Sequence, residues 1–171
     1  MPVVPDILRS WRDPRGVIAQ KLADGPREDR ALATLMGACA LIFVAQWPVL
    51  ARQAHMAKVT AEQAGTPLDQ VPTIQALMGG ALLAIVFMAP LVFYVLAAIS
   101  HGIARLFGGK GSGFGARMAL FWALLCIAPA MLFNGLVLGF VGPGPAATGV
   151  GALVALGFVY LWIRMLIEAE S

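Results

Sequence analysis

The chain has 171 residues, 60% of them hydrophobic and 12% charged, with a mean hydropathy of +0.82. A soluble domain carries about 25% charge, so this composition excludes one and places the chain in a bilayer. The net charge of +3 is small, and its cations fall in loops rather than along one surface, which argues against a nucleic-acid partner.

Residues 1–30 read as a cytoplasmic interfacial segment ahead of a transmembrane bundle over 31–168. Six cations (Arg9, Arg12, Arg15, Lys21, Arg27 and Arg30) and no continuous apolar run argue against a signal peptide, so the first span serves as the insertion signal. Ile7, Leu8 and Trp11 share one helical face. Asp13-Pro14 is a helix start, and Val17, Ile18 and Leu22 continue an apolar face until Gly25-Pro26 stops it. Two short amphipathic helices on the cytoplasmic leaflet are expected, with Ile7, Leu8, Trp11, Arg12 and Arg15 at the membrane surface or a docking site. A docking surface for a soluble partner and a plain cover for the bundle are the alternatives.

A crossing helix needs about 20 apolar residues. Residues 31–51 lack charge, as do 73–104, and 118–163 are long enough for two crossings around "VGPGPAAT". Four spans are expected, at about 31–51, 74–104, 114–141 and 146–166, giving an all-α polytopic bundle. Pro90 and Pro129 offer kinks. Breaking the third segment at Pro129 would give five spans but leaves a piece too short to cross straight. Counting Lys and Arg puts ten on one side and two, Arg52 and Lys58, on the other. Both termini are therefore expected in the cytoplasm.

"FGGKGSGFGAR", residues 107–117, contains the dinucleotide pattern at Gly111, Gly113 and Ala116. That fingerprint works between a strand and a helix, with an acidic residue about 20 positions on. Here a long apolar helix precedes it and no such acid follows. Gly111 after Lys110 also breaks the phosphate-loop pattern. The stretch reads as a cytoplasmic turn that sets Lys110 and Arg117 beside anionic headgroups, each contributing about 1 kcal/mol.

Within the spans the polar groups are Thr34, Gln46, Gln75, Tyr94 and Asn134. Asn134 could bond the carbonyl that Pro129 leaves free, or reach another helix. Gly135 and Gly139, Gly80 and Ala84, and Gly151 and Ala155 each have small-xxx-small spacing, which suits close helix packing or a partner interface. Trp47, Trp122, Tyr160 and Trp162 read as interfacial or lipid-facing anchors. Cys39 and Cys126 read as packing thiols. His55 and His101 fall at opposite ends of the bundle, which argues against a shared metal site, and His101 reads as a packing partner of Ser100. No nucleophile–base pair or metal cluster is visible, so neither an enzyme nor a cofactor is expected.

"DPRG" before the first span, the turn "GGKGSGFGAR" and a third helix reaching "APAML" at 128–132 together resemble the bacterial branch of the YIP1 family, particularly short proteobacterial proteins. The resemblance covers about residues 8 to 168. It implies a membrane protein of the bacterial cytoplasmic membrane. Eukaryotic relatives act in vesicle trafficking and associate with small GTPases and with one another. The family is generally five-spanning, whereas four spans are read here. The expected role is association with other integral membrane proteins or phospholipids, as an accessory subunit or a homo-oligomer. A small transporter or channel component is the alternative.

Overall fold

The computed structural model describes residues 3–171, and these form helices joined by short turns. Two short helices, α1 (Val3–Ser10) and α2 (Pro14–Ala23), precede the long α3 (Glu28–Ala64). Next come α4 (Ile74–Leu82), a wide π turn over Leu83–Met88, and α5 (Ala89–Leu106), which run on as one rod. α6 (Gly113–Phe140) and α7 (Pro145–Ala169) complete the chain. Four rods are long and apolar enough to cross a membrane: Glu28–Ala64, Leu68–Leu106, Gly113–Phe140 and Pro145–Ala169. A helical membrane bundle with four such helices is thus what the chain forms.

Local chemistry sets most boundaries. Asp13 caps α2 by accepting from the Gly16 amide at 2.9 Å, and Gly16 leaves the space that carboxylate fills. Thr73 and Ser112 cap α4 and α6 in the same way, accepting from Ala76 and Gly115 at 3.2 Å. α3 ends where Gly65 turns left-handed at φ +67 and the Thr66 amide reaches back to the Ala61 carbonyl.

One element departs from expectation. The first span continues as helix through "RQAHMAKVTAEQA" to Ala64, because Ala, Gln, Lys and Glu favour helix even where the apolar run has ended. α3 is therefore roughly 55 Å long, well beyond the ~30 Å of a hydrocarbon core. The break offered at Pro90 takes the form of a π turn. The turn lies just before the proline, with the Ala89 amide bonded back to Ala84. A proline ring crowds the carbonyl four residues earlier, and widening the preceding turn makes room for it.

α6 is the centre. From Phe114 to Ala128 all its residues but Arg117 are buried, which suits a helix apolar on every side. α3 runs parallel to it, joined where Glu28 meets Arg117 and Pro48 meets Gly139. α7 runs antiparallel to it, and α5 packs on a third side. Residues 107–112 and α1 and α2 gather at one end of the bundle, here the near end. The turns 65–73 and 141–144 form the far end.

Candidate functional site

Three places combine polar side chains with burial. The first is the seat of the N-terminal helices. Val17 and Ile18 are buried, and Ile7 and Leu22 pack against the same core. The indole N–H of Trp122 donates to Ser10 Oγ at 2.9 Å, and that hydroxyl donates to the Asp6 carbonyl at 2.7 Å. Lys21 lies 3.6 Å from the centre of the Trp122 ring and 3.1 Å from Asp6. Trp11 rests on Gly157, where an added Cβ would stand 3.1 Å from its ring. That contact is about 18 Å up α7 from Ala169. The two helices therefore pack against α6 and the near-end half of α7. Leu8, Trp11 and Arg12 face outward, and Arg15 is half-buried.

Trp122 is neither an interfacial nor a lipid-facing anchor: it is buried beneath α1 and α2. A tryptophan inside a bundle needs a partner for its N–H, and Ser10 supplies it from 112 residues away. Nothing local in the sequence marks that pairing. Trp47 and Tyr160 are exposed.

The second place is the glycine-rich turn. Gly111 lies against the Ala169 carbonyl so closely that a side chain there would collide with backbone, and Gly115 also faces Ala169. The Lys110 amide donates to the Glu170 carbonyl at 2.8 Å. The Glu170 carboxylate is buried, 2.6 Å from His101 Nδ1 through one oxygen. His101 thus pairs with Glu170 rather than with Ser100, whose hydroxyl bonds carbonyls of its own helix at Leu96 and Ala97. The turn is a clasp around the end of α7. Lys110 itself is exposed, and Arg117 bonds Glu28 at the start of α3.

The third place is an intramembrane slot of about 410 Å³ between α3, α5, α6 and α7. Its polar lining is two carboxamides, Gln46 and Asn134, amid Ile42, Phe93, Leu124 and Phe158. The Asn134 side-chain oxygen is buried with no partner among the described residues. Among the described residues the carboxamide makes no hydrogen bond, neither donating to the carbonyl freed by Pro129 nor reaching another helix, and it faces Gly151 of α7.

The small-residue pairs divide. Gly135 abuts the Ala45 carbonyl and Gly139 abuts Pro48, so this pair is used to bring α6 onto α3. Gly151 and Ala155 line the slot. Gly80 has nothing within 4 Å, and Ala84 is exposed.

A family model, the Yip1 domain, matches residues 8–169. The chain belongs to the Yip1 family. The match takes in the N-terminal helices from Leu8 onward, so α2 and its seat on α7 lie within the Yip1 domain. No curated protein and no solved structure matches the chain. This Yip1 protein is a multi-pass membrane protein by its family and its four long apolar helices.

Proposed function

We propose that this Yip1 protein acts by association inside the bilayer, without chemistry of its own, holding another integral membrane protein against the α4–α5 rod. The observation that carries this is the open small-residue face of that rod. A Cβ added at Gly79 or Gly80 would meet nothing within 4 Å beyond its own helix, whereas one at Gly135 or Gly139 would run into α3. In lipid, close backbone approach between helices drives association, and this is a small-residue face the chain leaves unfilled. The exposed Leu83, Phe87, Leu91 and Val95 extend the same rod as an apolar wall. The resemblance to the bacterial branch of the family supports the bacterial cytoplasmic membrane, and the split of ten Lys and Arg against two, Arg52 and Lys58, supports both termini inside. An accessory subunit of a larger membrane complex fits this arrangement, with phospholipid filling the remaining perimeter.

A photo-crosslinking residue placed at Gly80 or Ala84 in cells is expected to trap a discrete membrane protein. The same residue at Leu153, exposed on α7, is expected to trap lipid only. Equal lipid labelling at all three positions would overturn the assignment of this face.

A further inference from the structure

We propose that the slot between α3, α5, α6 and α7 is a binding site for one hydrocarbon chain bearing a hydroxyl group. The wall residues of α6 run from Leu124 to Leu138, roughly 21 Å along the helix axis. A volume of about 410 Å³ drawn out along that length suits an extended alkyl chain lying beside α6. The walls are apolar, drawn from Phe93 and Leu96 of α5, Leu124 and Met131 of α6, and Val154 and Phe158 of α7. The volume also falls within the range of small-molecule sites, ~300–1,000 Å³.

The polar chemistry selects the ligand further. The slot holds no charged side chain, so an ionised headgroup has no counter-ion inside it. It does hold the Gln46 and Asn134 carboxamides, and the Asn134 oxygen is buried without a hydrogen bond. Leaving such a group unpaired in hydrocarbon is costly. An unsubstituted acyl chain cannot pair it. A hydroxyl can, because it both donates and accepts. Turning the amide about its last bond exchanges its oxygen and nitrogen, and a hydroxyl pairs with either. Asn134 stands six residues before the far end of α6 at Phe140, about 9 Å in. A neutral amphiphile entering from the far leaflet would place its hydroxyl at that depth and its chain along Leu124 and Phe158. The α4–α5 face takes no part in this, so the site stands or falls apart from the proposed partner surface.

The test uses the full chain in vesicles of phosphatidylcholine and phosphatidylglycerol. A long-chain alcohol carrying a mid-chain diazirine is photolysed, and the labelled residues are mapped by mass spectrometry. Label is expected on slot walls such as Met131 and Val154. At equal membrane mole fraction, the unlabelled alcohol should compete about five- to tenfold better than the alkane of the same length, from the cost of an unpaired buried amide. Asn134→Leu should abolish that preference, and Ala155→Phe should remove the slot label by filling the space. The competition in the unaltered protein decides the matter even if a variant fails to fold. Equal competition by alcohol and alkane would overturn the proposal and leave a plain acyl-chain seat. Label confined to outward residues such as Leu153 and Leu156 would overturn it outright.

Discussion

Trp122 and Ser10 hold the N-terminal helices through one hydrogen bond, 2.9 Å long and buried. Removing the acceptor while leaving the donor costs more than removing both, because the stranded N–H has lost its water as well. Ser10→Ala is therefore expected to destabilise the protein by about 1–3 kcal/mol, read from denaturant unfolding in mild detergent. The double variant with Trp122→Phe should recover part of the loss. A second residue-scale test concerns Gly111. A methyl group there meets the Ala169 carbonyl, which is backbone and cannot swing aside. Gly111→Ala should open the clasp, release Glu170 from His101 and speed tryptic cleavage after Lys110. Gly149→Ala, with nothing within 4 Å, should leave cleavage unchanged.

Among the elements, the four long helices were legible because unbroken apolar runs are a signal that one dimension can carry. Their packing was legible only as spacing. Small-xxx-small pairs at 80, 135 and 151 look alike in the sequence, yet only Gly135 and Gly139 meet another backbone. Gly135→Ala is accordingly expected to force α6 off α3, costing about 1–3 kcal/mol as overpacking does. Gly80→Ala should leave unfolding unchanged. Thermal melts of the two variants side by side check this. The extension of α3 to Ala64 was not legible from hydropathy, since a membrane-span reading stops at Arg52 while helix propensity does not. Arg52 is instead a packing residue: its guanidinium lies over Gly142 and donates to the Gly139 carbonyl at 3.4 Å, beside the negative end of α6. The pairings of Ser10 with Trp122 and of His101 with Glu170 were hidden for a different reason. Each joins residues far apart in the chain, 112 and 69 positions respectively, and nothing in either neighbourhood names the other.

For the molecule as a whole, four long apolar helices, with α1, the end of α7 and the glycine turn gathered at the near end, predict that α1 and the end of α7 lie on one side of the membrane. Cysteines at Gly111 and Gly144, in a background lacking Cys39 and Cys126, should label from opposite sides of the membrane; labelling from one side would contradict four crossings. Deleting residues 2–23 should spare insertion, since α3 with Arg27 and Arg30 remains. It should bare the Trp122 ring and the Leu161 flank, and so lower stability in detergent as well as partner recovery. The seat of α1 and α2 also sets an order in time. Trp122 and Gly157 are made long after Ser10 and Trp11. At about 5–20 residues per second, the gap before Trp122 emerges is roughly 6–20 s. Through that interval Val17 and Ile18 have no α6 or α7 to pack on. We propose that the membrane surface and the flank of α6 and α7 are successive addresses for this segment, the first held while the chain is being made and the second once it is whole.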